Sequence, residues 1–114
     1  MDAANKFTVI YSFEVKDGMA SEFVSVWTEL TKLIYQYEGS FGSRLHHAQD
    51  GLYIAYAQWP DRETWAKSGE RLPESAAKTR KRMRECCSSI KTEYELTVVS
   101  DLLRSERYDG QNYQ

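Results

Sequence analysis

Apolar and polar positions follow two distinct periods along this chain. Over Phe7 to Val15, "FTVIYSFEV", the residues Phe7, Val9, Tyr11, Phe13 and Val15 share one side of a period-two pattern rich in β-branched and aromatic side chains. That pattern predicts a strand, and "KDG" ends it. From Ala20 to Tyr37 the apolar residues Phe23, Val26, Trp27, Leu30, Leu33, Ile34 and Tyr37 recur at three-and-four spacing. The spacing predicts an amphipathic helix, with Gly39 as its stop. Two short strands follow, about Phe41 to Gln49 and Leu52 to Trp59, around Asp50-Gly51, a strong hairpin signal. "WPDRET" reads as a strand end, a proline and an Asp61 N-cap opening a short helix that contains Trp65. Gly69 and Pro73 interrupt this region. A longer helix is predicted from about Glu74 to Ser88, and "KTEYELTVVSDLL" (Lys91 to Leu103) predicts the last strand.

The order βαββαβ predicts an α+β, ferredoxin-like fold: a four-stranded antiparallel sheet with its helices on one face. One domain spans residues 1–103, and the polar segment "RSERYDGQNYQ" at 104–114 reads as a loose tail. The second face of such a sheet is bare. Alternation assigns Ile10, Leu45, Ile54, Tyr56 and Val99 to it, and these are too apolar to leave in water. A homodimer with its two sheets packed face to face is the economical expectation.

Composition refines this picture modestly. A chain of 114 residues supports one modest core, and an aromatic content of 13% exceeds what such a core needs, pointing to a pocket or an interface. A net charge of −2 makes no case for a nucleic-acid partner. The basic run "KTRKRMR" (Lys78 to Arg84) spreads around a helix and reads as a solvated face. Cys86 and Cys87 are neighbours, a poor geometry for a disulfide, and no CxxC accompanies them. They read as thiols in a reducing compartment, with no zinc site. "MDAANKF" lacks the apolar run of a signal peptide, and no segment has the 18 apolar residues of a membrane span. A cytoplasmic protein without a membrane partner is expected.

The adjacent His46 and His47 point to opposite sides of their strand, which argues against a metal clamp. If Asp50-Gly51 is a two-residue turn, His46 lies opposite Ala55 and Arg44 opposite Ala57. Gly42, Arg44, His46, Ala48, Tyr53, Ala55, Ala57 and Trp59 then share one face, where small residues under a covering helix leave room for a ligand. Leu45, His47, Gln49, Leu52, Ile54, Tyr56 and Gln58 form the other. A bulge at the turn would invert one strand. On this count His46 is the better chemical candidate and His47 is structural. No GxSxG, P-loop, GxGxxG, EF-hand or HExxH is present.

The strand "KFTVIYSFEVKDG", the helix "MASEFVSVWTEL" and above all "DGLYIAYAQWPDRETWAKS" resemble the antibiotic biosynthesis monooxygenase superfamily, over about Lys6 to Leu103. The most specific piece is Trp59 closing the third strand, followed by Asp61 and, six positions after Trp59, Trp65. The resemblance implies a dimeric α+β barrel with a pocket between sheet and helices in each subunit. In oxygenase members, phenols, anthrones or quinols are oxidised there by O₂ without metal or flavin. A deprotonated, electron-rich aromatic can pass an electron to O₂ itself, so the protein need supply only a base, anion stabilisation and a dry site. His46 would be the base, since its ordinary pKa of about 6.5 is close to working pH. Arg44 would stabilise the phenolate, with Tyr11 and Tyr53 as hydrogen-bond partners. Trp59 would be an aromatic wall, and Trp65 either wall or core.

Departures from the family pattern shape the expectation. Many relatives carry a His three residues after the apolar helix position, where this chain has Ser68, counted here with the substrate-binding residues; "GERLPES" beyond it has no His. Tyr11 stands at the first-strand Asn of the haem-degrading branch, which disfavours haem breakdown. With the usual helix base gone, two alternatives stay open beside a cofactor-independent monooxygenase. One is a non-catalytic dimer binding a small aromatic ligand or a partner protein. The other is isomerase or decarboxylase chemistry on the same fold.

Overall fold

In the first strand, β1 (Phe7–Val15), Phe7, Val9, Phe13 and Val15 are buried on one side, with Tyr11 half-buried among them, while Thr8 and Ser12 are buried on the other. The computed structural model describes residues 6–110. The N-terminal residues 1–5 read above for a signal peptide, and the last four residues of the expected tail, lie outside the described residues. Helix α1 (Ala20–Glu38) follows, burying Phe23, Val26 and Leu30. It ends at Gly39, whose φ of 78° is the left-handed conformation that glycine adopts without steric cost. Strands β2 (Gly42–Gln49) and β3 (Leu52–Trp59) form the hairpin, and α2 (Arg62–Ala66) opens on Asp61, whose carboxylate accepts from the Thr64 N–H. Helix α3 (Ser75–Glu85) leads directly into β4 (Cys87–Thr97).

The sheet order is β2-β3-β1-β4, antiparallel at every pairing. This is the expected four-stranded α+β architecture. The last strand starts and ends earlier than its sequence pattern suggests. Cys86 caps α3 and Cys87 already pairs with Val15, so the strand begins four residues before Lys91. It stops at Thr97 because its partner runs out: Thr97 pairs with Phe7, the first residue of β1. Val99 is therefore not a sheet residue; it and Leu102 and Leu103 are exposed beyond the strand. No helix among the described residues is long and apolar enough to cross a membrane.

The hairpin departs from the simple count. Gln49 pairs with Leu52 as expected, but the register shifts between His47 and Gln49, leaving Ala48 as an extra residue. His47 then faces Tyr53, His46 faces Ile54, Leu45 faces Ala55 and Arg44 faces Tyr56. A one-residue bulge exchanges the two faces of β2 relative to the expectation. The outcome has an energetic reason. In the bulged register Leu45 packs on the core while Arg44 and His46 face outward; the regular one would bury the charge and expose the leucine. At the turn Asp50 takes φ 50°, and the Val15 N–H donates to the Gly51 carbonyl at 2.8 Å. A Cβ on Gly51 would stand 2.5 Å from the Val15 oxygen, so only glycine fits there.

The core lies between the sheet and α1–α3, in two clusters. Phe13, Val15, Phe23, Val26, Ala55, Cys86 and Cys87 form one; Phe7, Val9, Ala57 and Trp59 form the other, and Tyr11 touches both. The opposite sheet face carries Ile10, Ile54, Tyr56, Tyr94 and Leu96, brought level by the pairings Ile10–Tyr56, Ile10–Tyr94 and Thr8–Leu96. Tyr94 and Leu96 are exposed on it.

Candidate active site

Where the two clusters meet, the β3 side chains shrink to Ala55 and Ala57, and the space above them is a cavity of about 410 Å³. That is enough for a small aromatic molecule. The sheet supplies its floor: Tyr11 and Phe13 from β1, Ser43 from β2, Ala55, Ala57 and Trp59 from β3, and Ile90 from β4. Helix α1 supplies Trp27, Leu30, Thr31 and Ile34, and α3 supplies Arg80, Met83 and Arg84. Ser40 and Ser68 complete the lining, which contains neither imidazole nor carboxylate.

Two groups on the floor have hydrogen-bonding capacity to spare. The Tyr11 hydroxyl accepts from the Trp65 indole N–H at 2.8 Å, which leaves its own proton free to donate. Burial pushes the Tyr11 phenol above its ordinary 10.0, the Trp65 bond pulls it partly back, and the Glu95 charge adds to the rise. The hydroxyl therefore keeps its proton at neutral pH. Trp59 is only 3% exposed, and its indole N–H is buried with no partner among the described residues. An unsatisfied buried donor costs roughly 1–3 kcal/mol.

The sequence-predicted residues separate into four groups. Tyr11, Trp59 and Ser68 line the cavity. Trp65 stands behind Tyr11, tilted against Phe7 at 5.7 Å, and belongs to the core. Tyr53 packs between Phe23 at 5.3 Å and His47 at 4.7 Å, away from the lining. His46 and Arg44 are on the opposite sheet face, which corrects the expected geometry. The His46 ring is exposed, with Nδ1 3.2 Å from the Ile54 carbonyl and Nε2 accepting from Arg44 Nε at 3.1 Å. The Arg44 guanidinium rests over the Tyr56 ring at 5.3 Å. The bulge at Ala48 removed both from the cavity. His47 bonds the Asp50 carbonyl at 2.8 Å and braces the turn.

Arg80 and Arg84 were missed because the run Lys78 to Arg84 reads as uniformly solvated. A phase argument would have found Arg80. Ala76, Thr79, Met83 and Cys86 form the inward stripe of α3, and Arg80 lies on that stripe between Thr79 and Met83. A second unannounced feature is Glu38, wholly buried at the end of α1. Its carboxylate accepts from the Gly69 N–H and from the Arg71 N–H at 2.9 Å, fixing the loop between α2 and α3. Cys86 and Cys87 are buried free thiols. Among the described residues, no three of His, Cys, Asp and Glu stand together as metal ligands.

The sequence profile named Antibiotic biosynthesis monooxygenase matches residues 6–71. No curated protein matches the chain significantly. Among solved structures, SnoaB, a cofactor-independent oxygenase from Streptomyces nogalater, superposes with a TM-score of 0.72 at 19% identity, over 89% of this chain and 100% of SnoaB. A Caulobacter crescentus CB15 protein provisionally assigned as an antibiotic biosynthesis monooxygenase gives 0.71 at 17%, over 85% and 92%. A conserved protein from Methanosarcina mazei Go1 gives 0.69 at 14%, over 85% and 96%. At these identities the likeness is one of fold.

Proposed function

Because this chain belongs to the antibiotic biosynthesis monooxygenase family, we propose that its cavity oxidises a small phenol, anthrone or quinol with O₂ and without a bound cofactor. The observation that carries this reading is an apolar cavity lined by Tyr11, whose O–H is free to donate, and by Trp59, whose buried indole N–H is unpartnered. SnoaB, which shares the fold, is a cofactor-independent oxygenase, and that supports the reaction class.

The chemistry follows from what the donors favour. Loss of a proton from an anthrone gives a delocalised anion whose charge rests largely on oxygen. Hydrogen bonds from Tyr11 and Trp59 to that oxygen stabilise the anion in the apolar cavity. One electron then passes to O₂, giving substrate radical and superoxide, and these join in a C–O–O⁻ bond. Return of the proton and loss of water leave a carbonyl, so a CH₂ group and O₂ become C=O and H₂O. With no imidazole or carboxylate lining the cavity, the donors act by lowering the substrate's own pKa, and water takes the proton. The anion stabilisation expected of Arg44 thus passes to Tyr11 and Trp59, and the proton expected to go to His46 goes to water.

The same lack of a lining base favours one second reading, a domain that binds an aromatic ligand without turning it over. O₂ uptake by the purified protein with a panel of anthrones and quinols separates the two. Uptake above autoxidation that survives His46→Ala and falls at least about tenfold in Tyr11→Phe is expected. Absence of catalysed uptake across the panel refutes the oxygenase and leaves the binding domain.

A homodimer is part of the proposal, supported by the apolar open face of Ile10, Ile54, Tyr56, Tyr94 and Leu96. Light scattering at micromolar concentration should give twice the chain mass; a monomer mass refutes it.

A further inference from the structure

We propose that Arg80 and Arg84 are the recognition site for a carboxylate on the aromatic substrate, so that the cavity selects acidic over neutral rings. This rests on the cavity being the aromatic-binding site. Helix α3 treats its arginines unequally. Arg82 is paired twice, to Glu22 at 3.8 Å and Glu29 at 3.9 Å on α1. Arg80 and Arg84, four residues apart and so on one helix face, both line the cavity, and neither has an acidic partner among the described residues. In a chain of net charge −2, with acidic side chains available to pair, the half-buried Arg80 is left unneutralised beside an apolar cavity, with the exposed Arg84 next to it. An anionic ligand group accounts for it.

Arg80 also lies against the loop between α2 and α3. It is half-buried on the inward stripe of α3, and its guanidinium lies so close to Gly69 that a Cβ there would be 3.2 Å from it. Gly69 in turn has φ 104° and is tied through its N–H to the buried Glu38. The Arg80 guanidinium is thus a planar, permanently charged fork beside both this loop and the cavity. Such a fork matches a carboxylate in geometry and charge, and the lining contains no acid to compete for it. The cation wall belongs to α3 and the Tyr11 and Trp59 donors to the sheet. A ligand spanning the cavity would present its carboxylate to the helix and its ring oxygen to the floor.

The test compares two probes of one ring system, anthraquinone-2-carboxylate and its neutral analogue 2-(hydroxymethyl)anthraquinone. Binding is followed by quenching of tryptophan fluorescence, since Trp27 and Trp59 line the cavity. The native protein should bind the carboxylate about ten- to a hundredfold more tightly, with a preference that shrinks as salt is added. Arg80→Met with Arg84→Met, which keeps the apolar stems, should bring the two affinities together. Arg82→Met should keep the preference. Because Arg84 is exposed, Arg84→Met alone should fold and should lower the preference by several-fold, so the proposal is testable even if the double variant is unstable. Equal affinities in the native protein, or a preference that survives the arginine substitutions, overturn the carboxylate site while leaving the aromatic cavity intact. Failure of both probes to bind refutes the aromatic-site reading and this proposal with it.

Discussion

Replacing Glu38 with alanine tests how the loop carrying Ser68 and Gly69 is held. The Glu38 side chain is fully buried, and it accepts from two backbone N–H groups, those of Gly69 and Arg71. Arg71 adds a longer contact, Nε to carboxylate at 3.9 Å, from an exposed guanidinium that gains little from it. Hydrogen bonds to a charged group contribute roughly 1.5–3 kcal/mol each. Against them stands the cost of keeping a carboxylate out of water, which the alanine variant no longer bears. Taking both bonds with a partial offset, Glu38→Ala should lose about 3 kcal/mol. With an unfolding entropy of roughly 2.1 cal/mol/K per residue, a chain of this size loses about 4 °C for each kcal/mol, so Tm should fall by about 12 °C. Glu38→Gln keeps one acceptor and turns an NH₂ toward the other N–H, so its loss should be intermediate. Calorimetry or circular dichroism melting at neutral pH reads both. An alanine variant melting within about 3 °C of the native protein would show that the carboxylate does not anchor this loop.

Three further outcomes are expected. Ala57→Leu puts a larger side chain into the cavity rather than into packed core, so it should abolish quenching by anthraquinone probes with only a small change in Tm; unaltered quenching would place the ligand elsewhere. Asp61 is held below its ordinary 3.8 by the hydrogen bonds from Thr64. Its contribution is present above the ordinary value and is lost as pH falls through the depressed one. Asp61→Asn, still a good cap, should flatten the acid limb of a Tm-against-pH curve below pH 4, and an unchanged limb would refute this. Burial pushes the Cys87 thiol from 9.0 up to about 11, with Cys86 adding to the rise. The unfolded chain therefore ionises first, and stability is complete below pH 9 and lost as pH rises toward 11. Urea midpoints at pH 8 and 10.5 should show the fall, and Cys87→Ala should diminish it; equal falls would refute it.

Much of this molecule is decided by local pattern. The alternation of Phe7 to Val15 places Tyr11 on the inner face, because successive side chains of any strand point to opposite sides. The three-and-four spacing from Phe23 to Leu30 requires α1 to lie on the sheet, and Asp61 caps α2 through bonds that span three residues. Ala55, Ala57 and Trp59 share a face for the same reason, so the cavity floor on β3 was legible.

Register and phase between elements were not legible. Whether His46 or His47 faces inward depends on one extra residue at Ala48, settled by competition between Leu45 and Arg44 for the buried side. Where β4 stops depends on where β1 starts, since a strand persists only while it has a partner. Arg80 faces the cavity because α3 must bury Ala76, Thr79 and Met83, which outweighs the polarity of the residues around them. The apparently ordinary Glu38 matters because a loop thirty residues later brings its N–H groups to it. Sequence alone specified which side chains alternate along each element. Only the packed structure decided which residues meet across elements, because those contacts are won in competition among distant parts of the chain.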